Sequence, residues 1–467
     1  MDALELARWQ FGITTVYHFF FVPLTIGLSL LVAGMQTVWW RTGNEQWLRL
    51  TKFFGKLFLV NFALGLATGI VQEFQFGMNW SDYSRFVGDI FGAPLAIEGL
   101  LAFFLESTFL GLWIFGWDRL KPGLHLMCIW IAGIGTVLSA YFILAANSFM
   151  QNPVGYRMNE ARGRAELTDI TAVLTNKVVL ATFPHTIFGC FMVAGAFVAG
   201  VAMWQLMRHP DRDADVFRPA LRMGAVVLLV SGLGTMISGD FQGKVMTEVQ
   251  PMKMAAAEAL YEDAQPAPFS LLTIGSLDGS EPVYEIEVPR LLSFLGTGSF
   301  DGEVRGINSL QEEYEQKFGP GDYAPNIPLT YWTFRLMITA GGLAMLAGLV
   351  MLWTTRKNRT PTSTWLLRSA IVLPLLPLAA NSFGWIFTEM GRQPWVVFGL
   401  MSTESGVSPG TTVAEVATSL IVFTLLYGVL AVVEVRLLLH YVQRGLPSTD
   451  SDHPSTDDSD APLTYAY

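Results

Sequence analysis

Charge is scarce in this chain of 467 residues, at only 15%, against about a quarter in an ordinary soluble protein. With 52% hydrophobic residues and a mean hydropathy of +0.41, too little polar surface remains for a soluble enzyme. Cysteine is nearly missing. Cys128 and Cys190 are its two occurrences, both inside apolar runs, which excludes a disulfide scaffold, an iron–sulfur cluster and a Cys-x-x-Cys-His attachment site. The N-terminal MDALELARWQF lacks the basic n-region of a cleaved signal peptide. The formal charge of −10 is unevenly placed. Residues 241–327 hold 14 acidic against 5 basic side chains, and residues 445–467 hold 5 acidic and no Lys or Arg. An acidic surplus of this kind argues against a nucleic-acid partner.

What is abundant is long apolar sequence. Nine stretches, near 14–38, 53–75, 93–117, 124–147, 183–207, 218–240, 328–353, 366–388 and 414–440, can each cross about 30 Å of hydrocarbon as a helix. The chain therefore reads as an all-α integral membrane protein with about nine transmembrane helices. Lys and Arg set its orientation. Sixteen fall in one set of loops, among them Arg41, Arg218, Arg356 and Arg444, and seven in the opposite short loops and the N-terminus. The N-terminus is then outside and the C-terminus inside. Loop 148–182 departs from the bias, being basic on the outer side. The expected organisation is six helices over 1–240, a long outer loop over 241–327, three helices over 328–444, and a low-complexity acidic tail over 445–467, expected to be disordered.

Few residues in the spans can carry chemistry. Of six histidines, His125, His209, His440 and His453 fall at cytoplasmic helix ends or in the tail, where a solvated surface role is expected. His18 and His185 sit in apolar surroundings in the outer halves of their helices, and each is either a metal ligand or a hydrogen-bonding interior histidine. Glu98 and Glu106 share one span, roughly 12 Å apart along an unbroken helix and about 80° around it. A carboxylate in hydrocarbon is costly and marks a functional site unless it pairs with a neighbouring helix. Glu389 closes the eighth span just before Gly391-Arg392-Gln393-Pro394-Trp395 and is either a ligand or a salt-bridge partner. Met337, near the outer start of the seventh span, is one of 19 methionines, most of which are packing. Together His18, His185, Met337 and Glu389 map to the outer half of the membrane, a donor set that suits buried haem iron. A haem–copper centre needs about six ligand histidines, and a pair of bis-histidine haems needs two apiece. Two membrane histidines serve neither.

The stretches RWQFGITTVYHFFFVPLTIGL, EFQFGMNWSDYSRFVGDIFGAPLAIEGLLAFFLEST, SAYFILAANSFMQNPVG, GDFQGKVMTEVQPMKMAAAEALYE, YWTFRLM and GWIFTEMGRQPW, in this order, resemble subunit I of the cytochrome bd-type quinol oxidases. The resemblance runs from Leu6 to about Gln443. It implies three haems: a low-spin haem b on His185 and Met337, with Arg335 neutralising a propionate, and a high-spin haem b and a haem d on Glu389 and His18. Arg8, Trp385 and Arg392 fall within the same stretches as cofactor-binding positions. Glu98 and Glu106 match acids linked to the high-spin haems and to proton delivery, and Ser139 and Asn147 match polar positions of the fourth span near that site. Lys253 and Glu258 fall on quinol-associated positions of the long loop, where an ammonium can hold a quinone oxygen and a carboxylate can accept a quinol proton. The second half of that loop is the compact version and carries no implied quinol contact.

The resemblance further implies a bacterial cytoplasmic (inner) membrane location and a homologous large subunit II, with small single-span subunits as further partners. Quinol and O2 are the implied substrates, with water as product and charge separated by topology rather than pumping. Two other functions fit the residues alone: a transmembrane haem b electron carrier without oxygen chemistry, and a proton-coupled transporter using Glu98 and Glu106 as a relay.

Overall fold

The structure, a computed structural model, describes residues 2–210, 213–275 and 282–446. Nine helical spans among them are long and apolar enough to cross a membrane. They are α1 (Ala3–Thr42), α2 (Glu45–Met78), a third span built from α3 (Ser81–Ile97) and α4 (Phe104–Phe115), α5 (Pro122–Gln151), and a fifth in which the short α6 (Ile170–Leu174) leads into α7 (Lys177–Arg208). The sixth is α8 (Ala214–Val249). The connection after it holds α9 (Pro251–Glu258), α10 (Leu291–Thr297) and α11 (Ile307–Phe318). The seventh is α12 (Ile327–Thr354), the eighth is α13 (Thr364–Val372) followed by α14 (Leu375–Met390), and the ninth is α15 (Val413–Arg444). Strands occur as three short antiparallel pairs between helices: β1 (Tyr156–Asn159) with β2 (Arg164–Leu167), β3 (Phe269–Gly275) with β4 (Pro282–Val288), and β5 (Trp395–Val397) with β6 (Met401–Ser402). Most of the acidic tail, from residue 447 on, lies outside the described residues.

Helices α1 and α8 extend past their apolar stretches, α1 from a polar cap at its start. α1 starts eleven residues earlier than its hydropathy predicts, at a capping box in which Asp2 accepts from Glu5 N–H and Glu5 returns the bond. Its 40 residues make about 60 Å of helix, twice the hydrocarbon thickness. α8 likewise runs on to Val249, nine residues past the expected start of the outer loop, and stops where Pro251 opens α9. The start of the long loop is thus helical, with two helices meeting at Gln250. The third span also differs from an unbroken helix, since Glu98–Phe103 form a π turn closed by the bond from Phe104 N–H to Gly99 O. The 80° offset expected between Glu98 and Glu106 does not hold across it.

α7 is the hub, packing on α8, α1, α13 and α5. In lipid, helix association rests on close packing rather than on water exclusion, so small residues govern how near backbones come. α7 carries Ala194, Gly195, Ala196, Ala199 and Gly200, all buried. A Cβ on Gly195 would stand 2.7 Å from Gly224 O, and one on Gly224 would stand 2.6 Å from Ala199 N, so α7 and α8 touch backbone to backbone. Away from this layer, the arginines that made loop 148–182 basic converge on one carboxylate. Arg157, Arg162 and Arg164 all lie within 3.6 Å of Glu166 on the β1–β2 hairpin, which offsets part of the outward positive charge.

Gly195→Leu should force α7 and α8 apart and cost about 1–3 kcal/mol or more, read as a lower thermal midpoint of the detergent-solubilised protein. Gly342→Leu on α12, where nothing lies within 4 Å of the added Cβ, should stay within about 0.5 kcal/mol.

Candidate functional site

The bundle end that carries the N-terminus also carries α9. Pro251 at its first position fixes the helical φ and needs no hydrogen-bond acceptor, and Ala259 ends it in the left-handed conformation at φ 51°. Its two charged side chains are both 4% exposed and diverge to different neighbours. Lys253 donates from Nζ to Gln151 Oε1 at 2.5 Å, its aliphatic stem lying so close to Gly391 that a Cβ there would stand 2.7 Å from Lys253 Cγ. Burial draws the Lys253 ammonium down to about 7; Arg392 pushes the same way and Glu389 opposes it. Glu258 accepts from Arg335 Nη2 at 2.7 Å and from Ser270 N–H at 3.1 Å. Burial pushes its carboxyl up to about 7, against the downward pull of Arg335.

The end of α5 ties these groups together. Asn147 Nδ2 donates to Glu389 Oε1 at 2.9 Å, and Arg392 donates to the other oxygen of the same carboxylate. One turn on, the Gln151 side chain takes Lys253 while its carbonyl takes Gln250 Nε2 at 2.5 Å. On the other flank the β3 strand closes over Glu258. The Tyr331 hydroxyl accepts Thr273 N–H at 2.6 Å and bonds Ser270 Oγ at 2.8 Å. The Arg335 guanidinium is enclosed by the rings of Phe269, Tyr331 and Phe334, 4.6–5.2 Å away. The compact second half of the loop, which gave no expected contact, therefore supplies Phe269, Ser270 and Thr273 to this site. Their residue types carry no signal in the sequence, and neither does Gln151.

Inside the spans the two apolar histidines share one arrangement. His18 Nδ1 lies 2.9 Å from Thr68 Oγ1, whose own proton goes to Gly65 O. His185 Nδ1 lies 3.1 Å from Thr235 O, which can only accept. Both rings must therefore carry hydrogen on Nδ1 and present the lone pair of Nε2, the form in which imidazole binds a metal. A glycine lies against each: a Cβ on Gly69 would stand 3.2 Å from His18 Cε1 and one on Gly239 3.2 Å from His185 Cε1. Gly384 gives Met337 Sδ the same clearance, 3.0 Å. Trp385 packs edge-on to Phe19, with centroids 5.2 Å apart. Deeper in the bundle, Ser139 donates to Glu98 Oε1 at 2.6 Å, and Glu98 acts electrostatically on both Glu106 and Glu73. Arg8 stands apart from these groups, exposed on α1.

His125 corrects the sequence reading. It is buried, 3% exposed, rather than solvated at a helix end. Trp113 Nε1–H donates to Gln36 Oε1, Gln36 Nε2–H to His125 Nδ1, and His125 Nε2–H to Trp113 O, each at 2.8 Å. With both nitrogens engaged it has no lone pair for a metal.

The donor set fits haem. Arg335 Nε and Nη1 and Arg392 Nη1 are buried without a partner, as expected where the carboxylates of a haem complete the bonding. The sequence profile described as "Cytochrome bd terminal oxidase subunit I" matches residues 6–446. The chain belongs to that family. It is similar to "Cytochrome bd ubiquinol oxidase subunit 1" of Bacillus subtilis (strain 168), 47% identical over 446 residues that cover 95% of this chain and 94% of that protein. "Cytochrome bd-II ubiquinol oxidase subunit 1" of Escherichia coli (strain K12) is 35% identical over 511 residues, covering 97% and 99%. The solved structure of the bd oxidase from Geobacillus thermodenitrificans superposes with a TM-score of 0.86 at 28% identity, covering 95% of this chain and 99% of that one. This bd-family subunit is thus a multi-pass membrane protein and part of a haem-binding quinol oxidase, which sets aside the electron-carrier and transporter readings.

Tyr331→Phe should leave the Thr273 N–H unsatisfied, at a cost of about 1–3 kcal/mol confined to the β3–β4 hairpin. Limited proteolysis should then nick residues 269–288 faster while the spans remain intact.

Proposed function

We propose that the subunit oxidises a membrane quinol at α9 on the outer face and reduces O2 to water within the bundle, separating charge by topology without a pump. The observation that carries this reading is that one short helix places Lys253 beside the Glu389–Arg392 pair and Glu258 on Arg335. A quinol at α9 meets an ammonium that can hold its oxygen and a carboxylate near neutrality that can accept its proton. His185 and Met337 would hold the low-spin haem b, with Arg335 on a propionate, His18 would hold haem d, and Glu389 the high-spin haem b. Trp385 and Arg392 border these positions, and Arg8 belongs with them only through the family pattern. When bound, haem supplies one-electron transfer and, where a coordination position stays open, a site for O2.

The quinol protons leave at the outer face from Glu258. The protons for water enter from the basic, cytoplasmic end. Acidic and polar groups follow one another by depth along α5: Glu106 opposite Gly135, Glu98 on Ser139, and Glu389 on Asn147. This order supports a proton-delivery role for Glu98, Glu106, Ser139 and Asn147. The relatives' designation as subunit 1 supports a homologous subunit II as partner, with small single-span subunits alongside, in the bacterial cytoplasmic membrane.

Met337→Leu keeps the volume and removes the thioether, so the low-spin haem b should become high-spin or be lost in the absorption spectrum. An unchanged low-spin spectrum would exclude the His185/Met337 pairing. Glu258→Gln keeps the shape and removes the proton acceptor, so quinol turnover should fall roughly a hundredfold. Oxygen reduction from an artificial donor that bypasses the quinol should persist. The sign of the pH dependence follows from the two buried groups. Below about 7 Glu258 holds its proton and cannot accept another, and above about 7 Lys253 loses its charge. Quinol oxidation should therefore peak near neutral pH and fall on both sides, and Glu258→Gln should abolish the acid limb. Equal loss of both activities would remove Glu258 from the quinol site.

A further inference from the structure

The eighth span breaks at Pro374, and its two halves go different ways. α14 packs on α12, whereas α13 packs on α7, where a Cβ on Gly200 would stand 2.6 Å from Ala370 O and 3.1 Å from Pro374 Cδ. The divergence opens a wedge between α12 and α13. It is a groove of about 500 Å3, with Leu343, Leu346 and Val350 on one wall and Trp365, Arg368 and Val372 on the other. Leu343 lies eleven residues from the basic end of α12 at Thr354, so the groove reaches about 16 Å into the bundle. That is the depth of one leaflet, half of about 30 Å of hydrocarbon.

The mouth of the groove is cationic. The connection from α12 to α13 carries Arg356, Lys357 and Arg359, Arg368 follows on α13, and the sequence holds no acid between Asp322 and Glu389. Arg218 braces this connection through Arg359 O at 3.0 Å and Thr360 Oγ1 at 2.6 Å, and Arg222 through Asn358 Oδ1 at 2.8 Å. Two further arginines therefore stand beside it. Arg356 lies 4.8 Å over the Trp353 ring and Arg368 5.3 Å over the Trp365 ring, with those indoles 63% and 75% exposed. Exposed tryptophans mark the depth of lipid headgroups. A basic pocket at that depth, opening onto an apolar channel one leaflet long, matches the chemistry of an anionic phospholipid.

We infer that the wedge between α12 and α13 binds an anionic phospholipid, with its phosphate on Arg356 and Arg368 and an acyl chain between Leu346 and Val372. The cation cluster decides between occupants. An apolar transmembrane helix of another protein would fill the groove and leave these charges unpaired, whereas a phosphate answers them.

The complete oxidase, stripped of lipid in detergent, can be titrated with dioleoylphosphatidylglycerol or dioleoylphosphatidylcholine and read by native mass spectrometry. The anionic lipid should bind about tenfold more tightly than the zwitterionic one. The Arg356→Gln/Arg368→Gln double variant should lose that preference, and Ala347→Trp, which fills the groove, should weaken both lipids. The absorption spectrum and quinol turnover in detergent should match the parent in both variants, which shows that they fold. A photo-crosslinking residue at position 346 should capture lipid. Equal binding of the two lipids, an unchanged preference in the double variant, or capture of a polypeptide at position 346 would each overturn the inference.

Discussion

The outer half of the molecule depends on the burial of two opposite charges on one short helix. An ion taken out of water costs several kcal/mol unless it is met by partners. α9 can therefore lie where it does only because Gln151 and Glu389 receive Lys253, against the repulsion of Arg392, while Arg335 and Ser270 receive Glu258. The dependence runs both ways. Glu389 is oriented by Asn147 and Arg392, and Arg335 by the rings of Phe269, Tyr331 and Phe334. The ends of α5, α12 and α14 and the start of β3 are thereby fixed relative to one another through side chains on a loop that lies outside the spans. The same charges that make the loop expensive to bury give it two groups near neutrality at the place we propose for quinol oxidation.

Span number and connectivity were legible because hydropathy acts over twenty residues at a time and averages out local irregularity. Where the averaging fails, the structure differs. The π turn at Glu98 adds one residue to a single turn, too little to alter any window. The break of the eighth span at Pro374 leaves both halves apolar, so composition cannot register it. His18 and His185 stood out because an imidazole is rare in apolar runs, whereas Met337, one of 19 methionines, was marked only by the family pattern, and His125 was misplaced because it lies near a helix end. Its partners, Gln36 and Trp113, lie 89 and 12 residues away, and only folding brings them together. Ser270, Thr273 and Gln151 could not be found at all, since hydroxyls and amides are common in loops and acquire their meaning from what they face.

The positive charge on the wrong side of the membrane shows a related limit. Counting Lys and Arg treats each as free, whereas Arg157, Arg162 and Arg164 surround Glu166 on one hairpin. A rule about loops works because most loop cations are solvated. It weakens where a turn gathers them around a single carboxylate. The interior is ordered by small residues for a reason that composition does express: in lipid, α7 and α8 gain by approaching until their backbones meet, and glycine and alanine permit it.

The π turn has a consequence for how the two acids of the third span are placed. A turn with one residue to spare sets the phase between α3 and α4. Taking that residue out would rewind the backbone as an α-helix, rotating α3 by about 100° against α4 and shortening the span by about 1.5 Å. Glu98 would swing away from Ser139, while Glu106 kept its place opposite Gly135. The relation between the two carboxylates therefore belongs to the winding of the main chain, and no exchange of one acid for a longer or shorter one could restore it.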